Sequence, residues 1–101
     1  MARKAFLRAL DVDVRVRFMI ETSRGEVTDF LVQLEILHQR HWRAFVRFNF
    51  AHGRPHRDLI HRDGREEKTW YEATDLGRFV DAAYQDLSRN FRTYAERMGY
   101  G

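Results

Sequence analysis

The most constraining feature of this sequence is a change in the period of its apolar residues near position 75. Before that position, apolar and polar residues alternate in several segments, as they do in half-buried β-strands. After it, apolar residues recur at every third or fourth position, which is the spacing of an amphipathic helix. Alternating segments followed by one helical segment predict an α+β domain in which the helix covers a sheet.

The alternating segments predict an antiparallel five-stranded meander sheet. Val14, Val16 and Phe18 mark the inner face of the first strand, and Trp70 is expected to anchor the last strand in the core. The predicted strands cover residues 12–20, 27–38, 42–50, 59–62 and 67–72. In the third strand, simple alternation places Trp42, Ala44, Val46, Phe48 and Phe50 on the inner face, and Arg43, Phe45, Arg47 and Asn49 on the outer face.

The helical segment predicts a long C-terminal helix over residues 75–98, about 36 Å in length at 1.5 Å per residue. Thr74 or Asp75 can cap its first turn, and Gly99 can end it. Residues 1–10 are expected to form a short helix or an N-terminal arm. With 101 residues, the chain has the length of a single domain, residues 1–101.

Composition excludes several classes of function. The chain has no Cys, which excludes disulfides, thiolate zinc sites and cysteine nucleophiles. The six Gly residues are scattered and so form no phosphate-binding loop, and neither Ser23 nor Ser88 lies in a nucleophile-elbow motif. No apolar run approaches the roughly 20 residues of a membrane-spanning helix. Without an apolar signal region after Met1, we expect a cytoplasmic protein with no membrane partner.

Positive charge is concentrated in the middle third of the chain. The net charge is +3, but residues 38–68 alone hold eight basic and four acidic side chains, an excess of four. All five His residues lie in the same third. Arg and His together suit contacts with phosphate groups, so RNA is the expected partner.

Within this third, residues 51–58 are predicted to form an irregular loop because they contain Gly53 and Pro55. A loop can bring several reactive side chains together. Two imidazoles near neutral pKa can act as base and acid in metal-independent RNA cleavage, while Arg groups stabilise the charged transition state. The predicted catalytic residues are His52, His56, Arg57 and Asp58, with Asp58 orienting an imidazole. The predicted phosphate-binding residues are Arg43, Arg47, Arg54 and Arg62, and no cofactor is expected.

Two other interpretations of this segment remain open. His52, His56 and His61, with Asp58, are residue types that can ligate a metal ion, although spacing on a loop does not fix a coordination geometry. Alternatively, Asp58 pairs with a neighbouring Arg, and a His beside it closes the loop by hydrogen bonding.

The outer face of the predicted sheet suggests a function without catalysis. Arg15, Arg17, Arg43 and Arg47 are expected there together, which would make a basic face able to bind nucleic acid or a protein partner. Phe45 with Leu31 or Leu37 on that face would also suit a second subunit, so a homodimer is expected as well.

The segment Phe50-Ala51-His52-Gly53-Arg54-Pro55-His56-Arg57-Asp58 resembles the centre of an uncharacterised family of small prokaryotic proteins. The resemblance extends over roughly residues 14–98 and implies a strand meander followed by a C-terminal helix. In layout, the chain is also distantly similar to toxins of toxin–antitoxin pairs, which implies a ribonuclease or a phage-defence component with an antitoxin-like partner. Those toxins carry a second adjacent His where this sequence has Arg57.

Overall fold

The computed structural model describes all 101 residues, Met1 to Gly101. Six strands form one antiparallel sheet in the order β1-β2-β3-β4-β5-β6, and one helix follows them. The α+β meander with a C-terminal helix is therefore confirmed, with six strands in place of the predicted five. The elements are β1 (Ala2–Asp11), β2 (Val14–Ser23), β3 (Glu26–His38), β4 (His41–Ala51), β5 (Arg54–Ile60), β6 (Glu66–Trp70) and α1 (Leu76–Met98).

The additional strand is formed by the N-terminal residues, so the prediction of a short helix or arm over residues 1–10 is wrong. β1 pairs with β2 from Ala2↔Thr22 to Asp11↔Val14, and the ring of Phe6 stacks on Phe18 with centroids 4.5 Å apart. The pairing satisfies backbone groups along one edge of β2 that would otherwise lack partners. The sequence of residues 1–10 alone does not indicate this strand, because its extended conformation depends on pairing with β2, which begins at Val14.

The predicted irregular loop over residues 51–58 is also wrong, because only two residues lie outside a strand. His52 and Gly53 have φ angles of 54° and 75° and form a two-residue hairpin turn, after which β5 begins at Arg54. Pro55 is tolerated in β5 because its carbonyl accepts the Tyr71 N–H (3.0 Å) at the rim of the sheet, just past the end of β6. The backbone nitrogen of Pro55 also faces β6, at the point where the hydrogen bonds between β5 and β6 end. The missing N–H of proline therefore falls at the end of this strand pairing and not within it.

A β-bulge in β4 changes which side chains face the core. Leu34 pairs with Val46 and Glu35 pairs with Ala44, so Phe45 is an extra residue in β4. Phe45 is therefore fully buried near Tyr100, and its predicted place on the outer face is wrong. Because of this bulge, Trp42 and Ala44 do not face the core, and their predicted inward direction is wrong. Arg43 instead pairs with the core residue Ile36.

One hydrophobic core lies between the sheet and α1. The helix begins after Asp75, whose Oδ1 accepts the Arg78 N–H (3.1 Å), and it ends at Gly99 with φ 94°. Its apolar stripe packs mainly on β3 and β4. No helix in the structure combines the length and the apolar character needed to cross a membrane. The helix contributes Val80, Ala83, Leu87, Phe91, Tyr94 and Met98 to the core.

Candidate nucleic-acid interface

The sheet face opposite α1, which we call the outer face, is covered by no other element of the chain. The strand registers align two rows of side chains across it. One row runs Leu7–Arg17–Gln33–Arg47–Asp58–Lys68, and the other runs Ala5–Met19–Leu31–Asn49–His56–Trp70. Arg17 of β2 and Arg47 of β4 thus lie on the same surface as His56 and Asp58 of β5.

The centre of the outer face holds what we call the arginine network: Arg15, Arg17, Arg47, Gln33 and Glu35. Glu35 accepts the Nε–H of Arg15 (2.7 Å) and of Arg17 (2.9 Å) through its two carboxylate oxygens. Gln33 bridges the network, because its Nε2 donates to Glu35 (2.6 Å) and its Oε1 accepts the Arg47 Nε–H (2.8 Å). Each arginine is thereby held by its Nε, and none of their Nη groups donates a hydrogen bond within the protein, although the Arg15 guanidinium also stacks on the Trp42 ring, 3.9 Å from its centre.

The electrostatics of the arginine network favour an anion. Burial, the largest influence, would by itself raise the pKa of the Glu35 carboxyl, but hydrogen bonds from Arg17, Arg15 and Gln33 outweigh it and hold the pKa below the usual 4.5. Glu35 is therefore ionised at neutral pH. The network contains three guanidinium groups and one carboxylate, which Arg15 and Arg17 contact directly, so it retains excess positive charge in fixed positions.

At the other end of the outer face, His56 and Asp58 form a buried pair. The His56 Nε2 lies 3.2 Å from the Asp58 Oδ2, and the Lys68 Nζ lies 3.6 Å from the Asp58 Oδ1. Both residues lie on β5, two positions apart, so they share a face of the strand. Trp70 covers the pair, with its ring centroid 4.8 Å from that of His56.

Trp70 also links the pair to the neighbouring hairpin turn. The ring of His52 lies 6.4 Å from that of Trp70, and the guanidinium of Arg54 lies 5.5 Å from the Trp70 ring. The indole is 38% exposed, so the prediction that Trp70 anchors the core is wrong. Its exposure follows from its register opposite His56, which places it on the outer face.

Three neighbouring polar atoms on the outer face are buried without a hydrogen-bond partner: Asn49 Oδ1, His56 Nδ1 and Asp58 Oδ1. Asn49 and His56 are direct cross-strand partners, and Asp58 follows two residues later. Asn49 also lines a surface hollow of about 250 Å³ with Met19 and Leu31. Buried groups without partners cost free energy, so their clustering marks this corner as more than a packing surface.

The structure separates the other predicted site residues from this surface. Arg57 lies on the inner side of the sheet, where its Nη1 donates to the Tyr94 hydroxyl (3.3 Å). Burial, and then the hydrogen bond to Asp86, raise the pKa of Tyr94 to about 12. Arg62 follows β5, and its backbone N–H donates to the carbonyl of Met98 (2.8 Å). Of the predicted basic face, Arg15, Arg17 and Arg47 stand together, while Arg43 does not join them.

The candidate metal ligands do not assemble either. No group of three His, Asp or Glu side chains is close enough to hold a metal ion. His61 is engaged elsewhere, because its Nε2 lies 2.6 Å from the Glu67 Oε2. The residues His52, His56, His61 and Asp58 therefore do not provide the ligand set that the sequence left open.

A family model described as a domain of unknown function (DUF7718) matches residues 1–99. The chain belongs to this family. The expectation of an uncharacterised family is thereby confirmed. No curated protein and no solved structure is significantly similar to the chain. The roles of individual residues in this DUF7718 domain are therefore argued from its geometry.

Sequence reasoning missed two members of the interface in this DUF7718 domain. Neither Gln33 nor Glu35 was predicted to hold three arginines, although both stand at polar positions of the second predicted strand. The available signal was an acidic and an amide side chain on an outer face otherwise rich in Arg. Which arginines they contact depends on the pairing of β3 with both β2 and β4.

Proposed function

We propose that this DUF7718 domain binds single-stranded RNA on its outer face. The observation that carries the proposal is the arginine network, in which Arg15, Arg17 and Arg47 are each held at Nε and none of their Nη groups hydrogen-bonds within the protein. Guanidinium groups fixed in this way lose little side-chain entropy when they bind phosphate, and their planar shape suits bidentate contacts.

The exposed aromatic residues support a single strand in preference to a duplex. Trp70 offers a partly exposed ring beside Lys68 and Arg54, whose cationic groups each lie 5.5 Å from the ring centre. Unpaired bases stack on such rings at about 1–3 kcal/mol each, independently of sequence, and the backbone phosphates then follow the basic groups. Sheet faces that combine aromatic and basic side chains bind single-stranded RNA in this manner.

The proposal is tested by charge reversal within the arginine network. We expect Arg17→Glu with Arg47→Glu to weaken binding of a short fluorescein-labelled oligouridylate, measured by fluorescence anisotropy at several salt concentrations. Loss of two phosphate contacts should reduce the slope of log affinity against log salt by about 1.4, since each contact on a single strand contributes about 0.7.

The matched control is Arg78→Glu with Arg89→Glu, which makes the same change in net charge on the exposed side of α1. An equal loss of affinity in both double variants would reduce the effect to net charge and overturn the proposal. Unchanged affinity in the outer-face variant would overturn it as well. Trp70→Ala, which removes an exposed ring, gives a second test that does not alter charge, and we expect it to lower affinity about tenfold.

A second candidate function is metal-independent RNA cleavage of the toxin type, and the His56–Asp58 pair favours it. A carboxylate 3.2 Å from an imidazole can fix its tautomer and orientation. In this proposal His52 and His56, whose rings both lie near Trp70, act as base and acid, and Arg54 contacts the phosphate. Arg57 would act only through the packing of β5, because it contacts Tyr94 on the opposite face. An antitoxin-like partner in the cytoplasm belongs to this candidate.

Cleavage and binding are separated by His52→Ala with His56→Ala, assayed on a labelled RNA by gel electrophoresis and anisotropy. The cleavage proposal expects loss of product formation with RNA binding retained. His41→Ala, an exposed histidine at the start of β4, serves as the control. Because His56 is buried, circular dichroism verifies the fold, and His52→Ala alone gives a variant at an exposed position. If the wild-type protein leaves RNA intact, or if cleavage survives the double substitution, the cleavage proposal is wrong.

A further inference from the structure

The two edges of the sheet are unequal. At one edge, β6 has five residues, of which Glu66, Glu67 and Lys68 are charged. At the other edge, β1 has ten residues and an uncharged centre, Ala5-Phe6-Leu7. Phe6 is 37% and Leu7 is 49% exposed. Sheet edges are usually protected by short strands or by charge, and a long edge with an apolar centre is a template for pairing with another strand.

The charges of β1 select a register in which the strand pairs with itself. When two copies pair antiparallel across a twofold axis, their outer faces lie on the same side of the joined sheet. Two residues that face each other are therefore either both odd-numbered or both even-numbered. If Leu7 faces Leu7, then Phe6 faces Arg8 and Ala5 faces Ala9, and the extra residue Leu10 in β1 brings Asp11 opposite Lys4. A two-residue shift in one direction opposes Lys4 to Arg8, and a shift in the other opposes Arg8 to itself. Such like-charge pairs are destabilising.

We propose that β1 pairs with β1 of a second copy of this chain, with Leu7 on the twofold axis. The pairing satisfies the unpaired backbone groups of both edges and covers two Leu7 side chains with each other. It also places Phe6 opposite a cationic Arg8, a favourable contact between a ring and a guanidinium. Charge selects a second copy as the occupant, because Lys4 near the start of β1 meets Asp11 at the end of the same strand in the other copy. This dimer does not depend on the proposed RNA function.

The experiment uses opposite charges at the residue on the twofold axis. Wild-type protein is expected to sediment at twice the chain mass of 12.2 kDa. Leu7→Lys and Leu7→Glu should each raise the dimer dissociation constant by about 100-fold or more, because each opposes like charges. An equimolar mixture of the two variants should restore the dimer, because Lys then faces Glu. Analytical ultracentrifugation measures all of these species.

The matched controls are Val12→Lys and Val12→Glu. Val12 is 91% exposed in the turn after β1, so these variants should remain dimeric alone and in mixture. A monomeric wild-type protein at micromolar concentrations would overturn the proposal. So would dimers of Leu7→Lys or Leu7→Glu alone, or a mixture that stays monomeric while both variants are folded by circular dichroism.

Discussion

Glu35 shows how a buried charge is maintained on a sheet face that no other element covers. Its carboxylate receives three hydrogen bonds, from Arg15, Arg17 and Gln33, and neighbouring side chains shield it from solvent. Burial of a charge is costly unless hydrogen bonds and an opposite charge compensate. Here the compensation comes from Arg15 and Arg17 on β2 and from Gln33 on β3, and Arg47 on β4 in turn donates to Gln33.

Acid should therefore destabilise the protein in part through Glu35. The pKa of Glu35 is lower in the folded state than the usual 4.5, so its contribution is complete above pH 4.5 and is lost as pH falls through the folded-state pKa. We expect Glu35→Gln to lower the free energy of unfolding by about 2 kcal/mol at pH 7. The difference from wild type should shrink below pH 4.5.

Urea denaturation at neutral and acidic pH measures this difference. Glu26→Gln, at an exposed position without a side-chain partner, is the control and should have little effect at either pH. A deficit of Glu35→Gln that stays constant with pH would contradict the role given to the ionised carboxylate.

At the scale of single residues, the sequence predicted which side chains are buried more accurately than which side chains contact each other. Val14, Val16 and Phe18 were expected on the inner face from alternation alone, and all three are buried in the core. The contacts of Glu35 and the exposure of Trp70 could not be predicted in the same way. Both depend on which residue of a neighbouring strand lies opposite, and a shift of one residue reverses the face.

At the scale of elements, the hairpin turns and one bulge determine the pattern of faces. Three hairpins have two-residue turns in which both φ angles are positive: Arg24-Gly25, Gln39-Arg40 and His52-Gly53. Two of these contain glycine at the second position, which favours such a turn. Gln39-Arg40 contains none, so this turn is held by the pairing of β3 with β4 in spite of its local preference.

The bulge at Phe45 explains why simple alternation failed in β4. An extra residue lets both Phe45 and Val46 enter the core, which no strict two-residue period can represent. It also turns Trp42 to the outer face, where the Arg15 guanidinium lies 3.9 Å from its ring centre. Nothing in the local sequence distinguishes this arrangement from regular alternation.

Phe45→Ala tests the bulged arrangement. Because the ring is fully buried against Tyr100, its removal should leave a cavity and lower the free energy of unfolding by about 3–5 kcal/mol. Leu37→Ala, at a position that is partly exposed on the outer face, should cost less than about 1 kcal/mol. Chemical denaturation compares the two variants. Equal, small losses would place Phe45 on the outer face, as simple alternation predicted.

At the scale of the whole molecule, one core joins the helix to the sheet, so the domain should unfold as a single unit. All 17 residues of the core form one cluster, with members from α1 and from β2, β3, β4 and β5. The order of the elements and the position of the helix were predictable because they depend only on the spacing of apolar residues along the sequence. The sixth strand was not, because β1 is ordered by its pairing with β2.

Leu87→Ala tests this cooperativity. Leu87 is fully buried in α1, and its truncation should cost about 3 kcal/mol, or roughly 12–24 °C in melting temperature. The helix dominates circular dichroism at 222 nm, whereas tryptophan fluorescence reports Trp42 and Trp70 on the outer face. Both signals should shift together. Arg89→Ala, at an exposed position of α1, is the control. A shift in circular dichroism without one in fluorescence would show that sheet and helix unfold separately.

The position of α1 after all six strands has a consequence for synthesis on the ribosome. Every strand pairs with its neighbour in sequence, so the sheet can assemble progressively as residues 2–70 emerge. The helix that covers its apolar face is translated after all six strands. Until Leu76–Met98 leave the exit tunnel, Phe18, Phe30 and Phe48 face water, so nascent chains that stall before the helix depend on a chaperone to avoid aggregation.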